Sequence, residues 1–197
     1  MAWDYVIGVK AYFDTERQKN NADEFYRYFY SKMTIEAICG IAGNITREST
    51  FNPGIKQSNS TQSGWGFIQW TPSTVLTNWT NKYGYNWWDG YAQCDRIWCE
   101  GTAEKEAGGY WVPTEQYAYS WSEFCTLKDV DEAVKAYCFE RERAGVVELE
   151  ERLANGRFWY EYLTGSVPPD PPDPPDPPDP PIKRKKRHMP VYMMLKR

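Results

Sequence analysis

Gly40-Ile-Ala-Gly-Asn-Ile-Thr-Arg-Glu-Ser-Thr-Phe-Asn-Pro-Gly54 is the stretch on which the reading of this chain turns. Upstream of it, Thr34 is placed to cap a helix, and Ile35, Ile38, Ala42 and Ile45 recur at helical spacing. Gly40 and Gly43 fall inside that helix, although each costs about 1 kcal/mol against alanine, so the helix is expected to pack closely against a neighbour. Asn52-Pro53-Gly54 ends it. Glu48 is thereby left at the helix end, where an apolar face gives way to a turn.

Working outward, Asn21-Ala-Asp-Glu24 reads as a helix N-cap with an acidic third position. Residues 55–64 are turn-formers and predict a loop or short hairpin, and Trp65 to Trp70 reads as a strand. Asp89 to Glu100 reads as a helix, followed by a Gly- and aromatic-rich insertion over 101–123. Thr126-Leu-Lys-Asp129 resembles a capping box opening a helix to about Arg143, and 146–163 reads as a last amphipathic helix. The fold class is therefore α+β, mostly helical with a small β element. The expected organisation is a folded domain over 1–165, a Pro-Pro-Asp spacer over 166–181 and a basic tail over 182–197. The spacer should be extended polyproline II, at about 3.1 Å per residue.

Charge divides along the same boundaries. The net charge is −4, but the tail carries +7 and the spacer −4, leaving −7 on the rest. An acidic body argues against nucleic acid as the partner of the folded domain, whose footprint would be basic. No run is long and apolar enough to predict a membrane span, and the N-terminus shows no signal-peptide pattern. Cys39, Cys94, Cys99, Cys125 and Cys138 are odd in number and are expected to be free, mostly buried thiols. His188, the single histidine, lies in the tail, which removes a histidine triad or a histidine-ligated metal site from the body. Neither metal nor cofactor is expected.

Three ordered blocks carry a family resemblance. They are Gly40 to Pro53, Gly64-Trp-Gly-Phe-Ile-Gln-Trp-Thr71, and Ala133-Val-Lys-Ala-Tyr-Cys-Phe-Glu-Arg-Glu-Arg-Ala-Gly145. Together they resemble the phage tail lysozyme family of the lysozyme-like superfamily, from about Asn21 to about Leu163. One departure is that Pro72-Ser73-Thr74 stands where many relatives have an arginine. The resemblance implies a peptidoglycan-degrading, bacteriolytic enzyme cleaving the β-1,4 bond between N-acetylmuramic acid and N-acetylglucosamine. It also implies a place in a phage tail or release at host lysis. The basic tail is then a candidate attachment to a tail protein.

Cleaving a glycosidic bond requires protonation of the leaving oxygen. Three features predict that Glu48 keeps a proton for this purpose. It lies at a helix C-terminus; Phe51, Phe67 and Trp70 can desolvate it; and the nearest cation in sequence, Arg47, points to another helix face. A solvated helix-end glutamate is the bland alternative. Residues 49–88 contain no Asp or Glu, so no second carboxylate follows in the β region. Candidates for a distant second acid are Asp89, Asp95 and, within the third block, Glu140, for which pairing with Arg141 or Arg143 is an equal alternative. Hydrolysis as in goose-type lysozymes and elimination as in lytic transglycosylases both remain open, as does a non-catalytic wall-binding tail module. Gln69, Trp70 and Trp65 are the candidate substrate-binding residues. If the strand alternates, only one of Gln69 and Trp70 can face a groove, and Gln69 is the better candidate.

Overall fold

A computed structural model describes residues 2–108, 110–142 and 147–165. The spacer and the basic tail lie outside the described residues. The helices are α1 (Thr15–Phe29), α2 (Ile35–Ser49), α3 (Thr74–Tyr83), α4 (Gly90–Thr102), α5 (Trp121–Phe124), α6 (Val130–Tyr137) and α7 (Leu149–Gly165), with a π-helical extension of α6 at Cys138–Glu142. Strands β1 (Gly8–Val9) and β2 (Ile55–Lys56) pair in parallel, Gly8 opposite Ile55 and Val9 opposite Lys56. The mostly helical α+β class expected from the sequence is the class observed.

Helix α2 is the axis of the core. Thr34 caps it as expected, its hydroxyl accepting from the Ala37 N–H at 3.2 Å. Ala37, Ile38, Ile41, Ala42 and Ile45 are buried, and α6 and α7 pack along the helix. The two glycines explain the closeness. A Cβ on Gly40 would lie 2.6 Å from the Ala133 Cβ, and one on Gly43 would lie 2.7 Å from the Arg152 carbonyl. Any larger residue would push α6 or α7 outward. The helix stops at Ser49 because Thr50 and Phe51 turn into left-handed backbone, at φ 48° and 58°. The stop therefore precedes Asn-Pro-Gly.

Several local expectations are corrected. Asn21 does not cap a helix: Asp14 caps α1, accepting from Arg17 N–H at 3.0 Å. Asn21 instead lies within α1, fully buried. Its amide bonds Asp4 in both directions at 2.8 Å and the Phe51 carbonyl at 2.8 Å, tying the N-terminal segment to the end of α2. The capping box at Thr126 is not formed, and Asp129 caps α6 through the Glu132 N–H at 2.9 Å. Helix α3 went unforeseen.

Trp65 to Trp70 is not a strand. Its ends pair with each other, Trp65 N–H to Trp70 O at 3.3 Å and Trp70 N–H to Trp65 O at 3.1 Å, and the residues between form a tight turn. Gly66 (φ 79°) and Gln69 (φ 50°) take the left-handed backbone this requires. All five cysteines are free and buried, as expected. Among the described residues no helix is long and apolar enough to cross a membrane, and no group of three or more His, Cys, Asp or Glu side chains is arranged to hold a metal.

Candidate active site

Glu48 lies in the last turn of α2, with 24% of its side chain exposed. Its Oε1 accepts from Nη2 of Arg152 at 2.5 Å. Arg152 comes from α7 and is 2% exposed. Its Nη1 donates to Oδ1 of Asn44 at 2.9 Å and its Nε to the Val147 carbonyl at 2.9 Å. Asn44 is itself held by the Gly40 and Val134 carbonyls, at 2.8 and 3.1 Å. A chain of fixed polar groups thus runs from the α2–α6 interface to the Glu48 carboxylate.

This corrects the expectation that no cation other than Arg47 stands near Glu48. Arg47 does point elsewhere, pairing with Glu148 and with Glu151 at 3.0 Å. The cation at Glu48 arrives from 104 residues away and donates directly to its carboxyl oxygen, a charge-assisted hydrogen bond that fixes where the carboxyl points. Nor do the aromatic neighbours act as expected. Phe51 and Phe67 are fully buried in a ring cluster with Phe25 and Trp159, while Trp70 is engaged by a different glutamate.

The turn after α2 is built by buried amides. Asn52 accepts from Val6 and Gly54 N–H groups at 3.1 and 2.9 Å, and donates to the Val6 and Ala11 carbonyls at 2.9 and 2.7 Å. Gln93 of α4 accepts from the Phe67 N–H at 2.8 Å and donates to the Pro53 and Trp87 carbonyls, at 2.7 and 2.6 Å. One fully buried side chain therefore fixes the 53–54 turn, the 65–70 turn and the segment before α4 together.

Within the 65–70 turn the three candidate binding residues separate. Gln69 is half-buried, its amide donating to the Gly66 carbonyl at 2.8 Å. Trp65 is half-buried and packs on Trp87 at 4.8 Å between ring centroids, with the Lys56 ammonium 4.1 Å from its own. Trp70 is 2% exposed and belongs to the core, so its candidacy as a substrate-binding residue is withdrawn. A turn rather than strand alternation separates Gln69 from Trp70.

The Trp70 indole N–H donates to Oε1 of Glu100 at 2.7 Å. Glu100, 1% exposed, also pairs with Arg96 at 3.0 Å and with Arg141 at 2.7 Å. Arg141 therefore does not pair with Glu140. Glu140 is fully buried, accepting the Tyr119 N–H at 3.1 Å, and its Oε2 has no hydrogen-bond partner among the described residues, outside which Arg143 lies. Burial pushes its pKa up to about 7, against the opposing pull of backbone N–H donors. It supports the 112–119 segment from inside. Asp89 caps α4, and Asp95 holds Lys105 at 2.6 Å and the Tyr28 hydroxyl at 3.3 Å. All three candidates for a second acid thus have structural engagements.

Asn44, Glu100, Arg96 and Arg152 were missed from the sequence. Arg152 left a legible signal. It falls in register with Gly156, Trp159 and Leu163, a helical stripe that faces the core, and an arginine there demands a buried acceptor.

Comparison with known proteins identifies the family. Residues 20–163 match the phage tail lysozyme family. Among curated proteins, Morphogenesis protein 1 of Bacillus phage B103 is 30% identical over 160 residues, covering 79% of this chain and 42% of that protein. The chain thus spans less than half the length of that relative. With the family match extending over most of its length, this chain belongs to the phage tail lysozyme family.

Proposed function

We propose that this chain is a muramidase-type enzyme that cleaves the β-1,4 bond between N-acetylmuramic acid and N-acetylglucosamine, with Glu48 as general acid. Membership of the family supports a lysozyme-like, peptidoglycan-degrading domain. The observation that carries the finer reading is the placement of Glu48. It is a half-open carboxylate at a helix end, oriented by a buried arginine that is itself locked by Asn44.

In this reading Arg152 fixes where the carboxyl points. The Glu48 proton has to reach the glycosidic oxygen, so an approaching sugar must share or displace the Arg152 bond. Because Asp89, Asp95 and Glu140 are engaged elsewhere, a one-carboxylate route is favoured. The substrate's own N-acetyl oxygen attacks the anomeric carbon as the leaving oxygen takes the proton from Glu48. Either water or the 6-hydroxyl then completes the reaction. Gln69 and Trp65 are the groups offered to the sugar. An amide can bond hydroxyl or N-acetyl groups, and an indole can stack on a pyranose ring.

Mass spectrometry of fragments released from purified cell walls tests the proposal. Muropeptides ending in anhydro-muramic acid, lighter by one water, identify elimination, whereas reducing ends identify hydrolysis. No fragments from wild-type protein, or equal yields from Glu48→Gln, overturn it. A binding-only tail module has one observation in its favour, the ion pair that holds Glu48, and zymography separates it from an enzyme. The family and the phage relative also support association with a virion and action on the cell wall, and entry is the stage proposed for that action. The +7 tail is the proposed attachment to a tail protein.

A further inference from the structure

A second concavity of about 400 Å³ lies between α3 and the segment that follows α4. Glu48, Gln69 and Trp65 are absent from its lining. One face of α3 supplies Thr74, Asn78 and Lys82, while Arg96 of α4 and Tyr110 close the other side. The feature that sets this cleft apart is Arg96. Its side chain is 3% exposed, sandwiched between the rings of Trp79 (5.3 Å) and Tyr110 (5.9 Å). Nε faces Glu100 at 3.0 Å and Nη2 donates to the Ala107 carbonyl at 3.1 Å. Nη1 donates to no protein group among the described residues, yet it is not among the buried unsatisfied atoms. Arg96 lines the cleft, and its Nε, buried, meets Glu100 as an ion pair without a hydrogen-bond partner among the described residues.

Charge points the same way. Glu100 is a single carboxylate shared by two arginines, Arg96 and Arg141. Burial and the like charge of Arg141 both pull the Arg96 pKa down against the pull of Glu100, so an added anion would relieve the guanidinium. At the mouth, Lys82 pairs with Glu106, and both side chains are largely exposed. Such an exposed pair is weak and readily exchanged. The side chains of Thr74 and Asn78 make no hydrogen bond among the described residues and are available to a ligand. A planar guanidinium presenting N–H groups on a buried, stacked plane suits a carboxylate better than a neutral sugar.

We propose that this cleft binds a carboxylate-bearing segment of the wall, the peptide stem of peptidoglycan, with the carboxylate on Arg96 and Lys82 and the peptide amides on Thr74 and Asn78. The choice of the peptide stem rests on the wall-degrading reading above; the preference for a carboxylate rests on the cleft alone. Engaging the stem would give the enzyme a grip on cross-linked wall separate from the glycan at Glu48, and a preference for strands that carry peptides.

The full chain is titrated with muramyl dipeptide, with its carboxamide analogue and with glycerol phosphate, following binding by calorimetry and by amide chemical shifts. Muramyl dipeptide should bind, with shifts centred on α3 and Tyr110, and the carboxamide should bind at least about tenfold more weakly. Asn78→Trp, an exposed position that fills the cleft, should lose binding by about tenfold or more. Glu106→Gln should tighten it by a few-fold by releasing Lys82. Equal affinity for acid and carboxamide, or full binding by Asn78→Trp, overturns the proposal. Glycerol phosphate binding as tightly as the peptide overturns the assignment to the stem and makes the cleft a general anion site. Glu48→Gln serves as the control. If it retains binding while wall cleavage is absent even from the wild type, the muramidase reading fails and the cleft stands.

Discussion

Among the described residues, the arginine–glutamate constellations around Arg152 and around Arg96, each with its arginine buried, are built differently. In the α2–α7 half, one carboxylate meets one arginine, and Glu48 keeps 24% of its side chain exposed. In the α4–α6 half, Glu100 meets two arginines and an indole N–H and keeps only 2%. The second is closed, with every acceptor site committed inside the protein. The first has one oxygen, Oε2, that accepts no hydrogen bond among the described residues, on a side chain that is 24% exposed. Exposure and partner number, more than residue type, are the reasons Glu48 is the group proposed to meet a substrate, while Glu100 holds elements of the fold together.

The sharpest break of that contrast is Glu48→Gln. It should cut wall cleavage by about a hundredfold or more while the chain stays folded, with a lowered melting temperature because buried Arg152 keeps an amide where its carboxylate partner stood. Turnover near wild type would remove Glu48 from the chemistry. Glu100→Ala should do the reverse, destabilising by about 3–5 kcal/mol because two guanidinium groups lose their shared acceptor. Urea denaturation reads this directly, and a variant as stable as wild type would dissolve the distinction between the two sites.

Next in size is the pair at the 65–70 turn. Trp70→Ala should cost about 3 kcal/mol through lost burial and the bond to Glu100, whereas Gln69→Ala should melt normally and lose activity. Early melting of the Gln69 variant with a stable, inactive Trp70 variant would invert the assignment.

Glu140 sharpens the comparison through pH. Its folded-state pKa of about 7 exceeds the ordinary 4.5, so the folded chain holds that proton more tightly than the unfolded chain. The resulting stability is fully present below about pH 4.5 and is lost as pH rises through about 7, by up to about 3 kcal/mol. Unfolding curves for wild type and Glu140→Gln at pH 5 and pH 8 should diverge by that amount, with wild type the one that weakens. The smallest expected effect is removal of residues 166–197. It should leave the melting temperature and cleavage of soluble muropeptides nearly unchanged and abolish only salt-sensitive association with an anionic partner.

Much of the helical half was legible because periodicity and capping are local. Thr34, the buried face of α2 and the two glycines announced that helix and its close neighbours. Glu48 was legible as the acid at its end, and the three blocks pointed to the family. The turn half was harder to read. Its shape depends on Asn21, Asn52 and Gln93, whose amides bond backbone groups 17 to 46 residues away, and no local pattern distinguishes such an amide from an ordinary polar residue. The Trp65–Trp70 segment looked like a strand because its apolar residues suit one, but Gly66 and Gln69 bend it.

By itself, then, the amino-acid order determined the helix-rich class, the family, the position of Glu48 at the end of α2 and the free thiols. Each follows from spacing, composition or a contiguous motif. Only the tertiary structure decided that Arg152 holds Glu48, that Glu100 takes Trp70 and two arginines, and that Arg96 lines a second cleft. Arg152 reaches Glu48 across 104 positions, and Trp70 and Arg141 reach Glu100 across 30 and 41; burial makes such pairings obligatory, because a charge taken out of water must find its partner wherever the packing brings one.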